Sequence, residues 1–266
     1  MKTISKIKSI LLLAILIFFV SGCNKGKDPA PILCYLLKST STSSSDPGFT
    51  GSNTFNYSTD MKLTTVVSSY TDNGATETET YTVTYDSKGN ITKAQNSSTP
   101  ISRIEFTYDA NNHITRKDYY EDNVLEDRTD HDYNASGQLI KDQYYEIVSG
   151  TAKKDFYSTY EYANTTTKNP LKLKYYSSDG TLSDTSEYLY DDKKTPFATL
   201  GALFNDTSAE NNVTKETNSY QGSPSVSITT YTYEYNDNGY PTKSTSSNKT
   251  GTFTSTDVNT YTYDCK

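Results

Sequence analysis

Two histidines and three cysteines are all that this chain of 266 residues offers for nitrogen or sulfur chemistry. Zinc needs such ligands at close spacing, but His113 and His131 stand alone and Cys23, Cys34 and Cys265 are far apart. No metal and no cofactor is expected. A catalytic serine needs an activating base, and no Gly-x-Ser-x-Gly elbow occurs. Asp130-x-Asp132-x-Asn134 resembles the start of a calcium loop. Its sixth position is Ala135 rather than Gly, and its twelfth is Lys141 where a bidentate Glu is required. Glycoside hydrolysis uses two carboxyl groups about 5 to 10 Å apart. Glu126/Asp127 and Asp191/Asp192 are the adjacent acids that could supply them, though acids in turns ordinarily serve solvation. His113 directly follows a turn where sister segments carry Asn90 or Gln138, and reads as a solvated hairpin residue. No catalytic residue is assigned.

Tyrosine is the abundant candidate, with 25 copies and no tryptophan. The adjacent pairs Tyr119-Tyr120, Tyr144-Tyr145 and Tyr175-Tyr176 put one ring on each face of a strand, so one of each pair is expected to face a ligand. Exposed phenols suit the apolar faces of sugars, and also protein interfaces. The plainer account is that tyrosine replaces missing aliphatics, burying 150 to 250 Å² per ring at about 25 cal/mol/Å².

The elements that must carry these rings are legible from alternation. Thr80-Tyr81-Thr82-Val83-Thr84-Tyr85, Ser227–Tyr235 and Asn259–Tyr263 place apolar or aromatic residues on one face and Thr on the other. Only 33% of residues are hydrophobic, too few to fill a multi-helix core, while 13% aromatic content argues against disorder. The 32 acidic against 25 basic residues exclude a nucleic-acid partner.

Turn signals follow each run. Tyr85-Asp86-Ser87-Lys88-Gly89-Asn90-Ile91-Thr92-Lys93 is a strand end, a tight turn with Gly at positive φ, and a new strand. Copies begin at Tyr108, Tyr133, Tyr162, Tyr190, Tyr235 and Tyr263, with Asn112 in the glycine position of the Tyr108 copy and the Tyr162 and Tyr190 copies degenerate. A spacing near 25 residues is one hairpin per repeat. The expected fold is all-β: a curved antiparallel meander of 14 to 16 strands, an open roll or barrel-like. The exception is Thr195–Asn205, where Thr195 can cap, Pro196 suits the first helical position and Phe197/Leu200/Leu203/Phe204 form a stripe. This predicts one short helix near 196–204, packed on the interior or end of the sheet. Ser39–Gly48 is low in complexity and reads as an exposed loop.

The leader gives an address. Lys2, Lys6 and Lys8 precede an apolar run, Ile10–Val20, that is too short to span a bilayer and suits a signal peptide. Val20-Ser21-Gly22-Cys23 resembles the lipobox of bacterial lipoproteins, which implies a signal peptide over 1–22, lipidation of Cys23 and a tether over 23–31. Residues 32–266 then form a single β-repeat domain. The polar stretch Asn24–Pro31 extends at most about 26 to 29 Å, so the domain is held close to an outer membrane, on either face. Cys34 and Cys265 remain. An exported pair invites a disulfide, with two free thiols as the alternative.

The repeat resembles the tyrosine–aspartate (YD) repeats of bacterial Rhs proteins and teneurins. The whole chain resembles a Bacteroides-type lipoprotein family of unknown function with a porin-like β-fold. Cys34 after the tether, the Tyr-Asp-x-x-Gly-x-ϕ-Thr-Lys units and the closing Tyr-Thr-Tyr-Asp-Cys-Lys carry that likeness. The resemblance implies a fold and an envelope address, and no activity. A spanning barrel would need an outward apolar band, whereas Thr, Ser, Lys and Glu alternate with the tyrosines here. The expectation is a soluble, monomeric, lipid-anchored module that binds or scaffolds, with a glycan or an envelope protein as partner. A hydrolase using carboxylates in the sheet interior, and a structural partner of an outer-membrane complex, are the alternatives.

Overall fold

The structure, a computed structural model, describes residues 32–98, 100–200 and 209–266. Its first eight strands are β1 (Cys34–Ser43), β2 (Thr50–Tyr57), β3 (Leu63–Asp72), β4 (Ala75–Tyr85), β5 (Ile91–Asn96), β6 (Ser102–Tyr108), β7 (Ile114–Glu121) and β8 (Val124–Tyr133). The others are β9 (Leu139–Val148), β10 (Thr151–Tyr162), β11 (Pro170–Ser177), β12 (Leu182–Lys194), β13 (Asn211–Tyr220), β14 (Val226–Tyr235), β15 (Pro241–Thr250) and β16 (Phe253–Cys265). Every strand pairs antiparallel with its sequence neighbours, and β1 pairs with β16. The sheet is therefore a closed barrel of hairpins. Cys34 and Cys265 are register partners at that seam and are joined by a disulfide.

Alternation sets the two faces. In β16, Phe253, Asp257, Asn259, Tyr261 and Tyr263 share the inner face, while Thr254, Thr256, Thr260 and Thr262 share the outer one. Tyr81, Val83 and Tyr85 of β4 point inward and Thr82 and Thr84 outward, as the pattern predicts. Each Tyr anchor coincides with a bulge. Opposite Tyr85 the ladder steps from Lys93 to Ile91, leaving Thr92 as the extra residue. The same step leaves Thr115, Ile140, Leu171, Thr214 and Thr242 unpaired opposite Tyr108, Tyr133, Tyr162, Tyr190 and Tyr235, and Leu37 at the seam opposite Tyr263. The ϕ-Thr-Lys part of the repeat thus acquires a meaning. Its first residue faces inward against the tyrosine, its second is the bulge, and its third points out. Lys38, Lys93, Arg116, Lys141, Lys172, Lys215 and Lys243 all occupy that third position, forming a basic ring around the outer wall one step in from the rim. Bulges bend strands and concentrate at barrel rims.

Three local expectations need correction. No helix appears among the described residues. Residues 196–200 form tight turns, with Ala198 N–H donating to the Thr195 carbonyl at 3.3 Å and Leu200 N–H to the Phe197 carbonyl at 2.9 Å, and 201–208 lie outside the described residues. Thr195 does cap this turn, its hydroxyl accepting from Phe197 N–H. The low-complexity segment is only partly a loop, because Ser39–Ser43 belong to β1, where ladder pairing on both sides overrides composition. There is also an eighth repeat, at Tyr57. It carries Ser58 in place of Asp and Met61, at φ 60°, near the usual glycine position.

Candidate functional site

The tyrosines that end the hairpins act as clamps. Tyr57, Tyr85, Tyr108, Tyr162, Tyr190 and Tyr263 donate their hydroxyls to the carbonyls of Leu36, Leu63, Ile91, Leu139, Pro170 and Pro241 on the preceding strand, at 2.7–2.9 Å. Tyr233 does the same to Val213 at 2.8 Å. Burial raises the phenol pKa, to about 12 for Tyr108, Tyr162 and Tyr188. The residue after the clamp builds the turn. Asp86 Oδ1 accepts from the backbone N–H of Lys88 and Asn90, and Asp109, Asn134 and Asn236 repeat this bond for bond. These donated bonds hold the Asp86 and Asp109 carboxyls below the usual range. Such aspartates are occupied structurally.

The inner face encloses a lumen into which 195–200 folds. Leu200 is buried against Leu36, Phe55, Leu63, Val66 and Val83, and the Phe197 ring meets Tyr261 edge-on at 6.5 Å. The predicted stripe therefore does pack on the interior, through its two described members. A cavity of about 380 Å³ lies beside Phe197, walled by Tyr160, Tyr188, Tyr190, Tyr231, Tyr233 and Tyr261. A second, of about 510 Å³, lies beside Leu200 at the rim of Asx turns, walled by Tyr85, Tyr108, Tyr133 and Tyr162.

Deep in the wall sits the cluster of ionisable groups that sequence reasoning missed. His131 on β8 and Asp142 on β9 are register partners, with Nδ1 2.5 Å from Oδ1 and both side chains buried. Tyr160 donates its hydroxyl to the other Asp142 oxygen at 2.5 Å. Desolvation raises the Tyr160 phenol, and the Asp142 charge adds to it. Lys117, on the same face of β7, lies over the Phe106 ring at 5.8 Å. Burial pushes its pKa down to about 8, against the pull of Asp142. Ser158 on β10 is the other register partner of Asp142. Ser158 Oγ and His131 Nε2 are buried with no hydrogen-bond partner. Serine, histidine and aspartate are thus neighbours, but in the wrong order: the carboxylate stands between the other two. A nucleophile needs the imidazole beside it, so these residues do not form a triad. His131 was legible, since it lies two residues before Tyr133 on the inward phase. Asp142 was not, because the bulge at Ile140 shifts its phase.

The other candidates are dispersed. Tyr119, Tyr144 and Tyr175 point inward and Tyr120, Tyr145 and Tyr176 outward, one ring per face as expected. Tyr144 stacks on Phe156 at 4.1 Å, and Tyr176 on Tyr157 at 4.7 Å. Outside, the Arg103 guanidinium lies 3.8 Å above the Tyr120 ring and that of Arg128 5.1 Å from Tyr145. All three arginines of the chain, Arg103, Arg116 and Arg128, project from this outer wall on β6, β7 and β8. Asp191 is bound to the backbone of Lys193 and Asn212, and Asp192 pairs with Lys193. Glu126 is the extra residue of a β7–β8 bulge. Asp130 is held by Arg128 at 2.5 Å and Arg116 at 3.3 Å, so the calcium-like segment is an ion-pair ladder. Among the described residues no group of three His, Cys, Asp or Glu is placed to hold a metal. His113 is not simply solvated. It bonds Asp109 at 3.1 Å and stacks on Tyr133 at 4.6 Å, tying one turn to the next.

No family model and no curated protein matches this chain. Among solved structures, a porin-like protein from Bacteroides uniformis ATCC 8492 superposes with a TM-score of 0.59 at 16% identity, covering 86% of this chain and 98% of that one. A porin-like protein from Bacteroides vulgatus ATCC 8482 gives 0.56 at 9% identity, over 87% and 99%. In fold, this closed sixteen-stranded meander is similar to those porin-like barrels.

Proposed function

We propose that this chain is a cell-envelope lipoprotein, anchored at the outer membrane through Cys23, whose barrel stands outside the lipid and binds rather than transforms its ligand. The observation that carries this reading is the chemistry of the outer wall. Ion pairs run across it: Lys172 with Glu187 at 2.8 Å, Lys174 with Glu161 at 2.5 Å and Lys243 with Glu234 at 3.0 Å towards one rim, and Arg128 with Asp130 at 2.5 Å midway along β8. Each Lys or Arg facing lipid at mid-bilayer costs about 2–4 kcal/mol. Clamp tyrosines inside and ion-pair ladders outside are the reverse of a lipid-embedded barrel. Asp191 is bound to backbone N–H groups and Asp192 is paired with Lys193, which weighs against their use in glycoside hydrolysis.

The ligand class we assign first is a glycan, taken by the outward rings of Tyr120, Tyr145 and Tyr176, each of which already has one neighbour against it, Arg103, Arg128 and Tyr157 respectively. Screening the mature chain on a glycan array tests this. Binding should be lost when all three tyrosines are changed to Ala. No signal for any sugar demotes the barrel to a scaffold within an envelope complex.

A further inference from the structure

We propose that the rim bearing the N-terminus is a seat for a phospholipid surface, so that the barrel stands upright on its membrane. This rests on the reading of Cys23 as a lipid anchor. Chain position comes first: Ile32 leaves this rim with only Asn24–Pro31 between it and Cys23, a reach of at most about 26 to 29 Å. The surface chemistry at the same rim agrees. Leu37, Ile140 and Leu171 are the unpaired bulge residues of their repeats and are exposed on the outer wall, where five sister repeats carry Thr. Ile32, Leu33 and Leu189 are exposed beside them. Just behind them runs the basic ring, which suits anionic headgroups. Lipid-surface binding combines these two ingredients, apolar side chains at the boundary and cations behind.

The opposite rim also exposes apolar side chains, including Val124, Val226 and Phe253. There, however, they are interleaved with acids such as Glu121, Asp122, Glu126 and Asp179, which anionic headgroups repel. The rim of Asx turns has acids of its own, but Asp86, Asp109 and Asp191 are bound to backbone N–H groups and Asp192 is paired with Lys193, so the chain path and the basic ring behind that rim together choose it.

The lack of native tryptophan makes a clean probe possible. Leu37→Trp, Leu171→Trp and, at the opposite rim, Val124→Trp are each made in the full chain. They are placed on vesicles of phosphatidylethanolamine and phosphatidylglycerol with brominated acyl chains. The expected result is a blue shift and quenching at Leu37→Trp and Leu171→Trp, with Val124→Trp unchanged. Unquenched rim tryptophans on a vesicle-bound protein, or equal quenching at both rims, overturn the proposal. Intact mass of the mature chain reads the anchor separately. If no acyl chain is found, the anchor reading falls, and the same quenching series on the unacylated chain still decides the seat.

Discussion

Asp142 shows what a single buried carboxylate demands of a wall otherwise made of tyrosine and threonine. It accepts from Tyr160 and faces His131 Nδ1, and Lys117 supplies opposite charge from two strands away. Removing one member of such a set leaves the others desolvated and unpaired, a loss of about 3–5 kcal/mol. Asp142→Ala is therefore expected to lower stability by that order in urea titration. Asp142→Ala combined with Tyr160→Phe should cost less than the sum of the two single changes, because they share one interaction. Additive losses would show that the cluster is not a unit.

The hairpin is the unit of construction, and its chemistry lies in four positions: clamp, cap, left-handed turn residue and bulge. The left-handed position is filled by Gly89, Gly137 and Gly239, and by Asn112 at φ 64°. A Cβ at Gly89 meets nothing, whereas one at Gly137 comes within 2.9 Å of His113 Nε2 from the neighbouring turn. Gly89→Ala should cost about 1–2 kcal/mol from the backbone alone. Gly137→Ala should cost more, since it also displaces the His113 ring from Tyr133. Equal losses in thermal unfolding would mean that the turns are energetically independent.

For the whole barrel, closure is the defining event. β1 and β16 are the last strands able to meet, and the Cys34–Cys265 bond fastens them across a separation of 231 residues. In the chain-entropy model such a loop contributes about 5 kcal/mol. The clamps give the molecule a collective response to alkali. Their folded pKa values lie above the unfolded value near 10, so their stabilisation is complete below pH 10 and is lost as pH rises through about 12 for Tyr108 and Tyr162 and higher still for Tyr57, Tyr190, Tyr233 and Tyr263. The clamp phenols should thus ionise in one cooperative step that coincides with loss of β-sheet circular dichroism. Complete ionisation of the phenols in a barrel that is still folded would contradict the clamp.

Alternation, the Tyr-Asp turn and its spacing determined strand type, which face carries the rings, and a strand number of 14 to 16, of which the structure has sixteen. These are local properties, written in consecutive residues with a period of two. The pairing of Cys34 with Cys265 was open in the sequence and decided by closure, because only the seam brings the chain ends into register. The bulges were equally invisible. Each shifts the phase by one residue, which is why the third repeat residue becomes an outward cation and Asp142 turns in toward His131. The helix expected near 196–204 had a cap and an apolar stripe, yet its described residues take tight turns inside the lumen. Burying Phe197 and Leu200 against a curved wall rewards contact with that wall over intrinsic propensity.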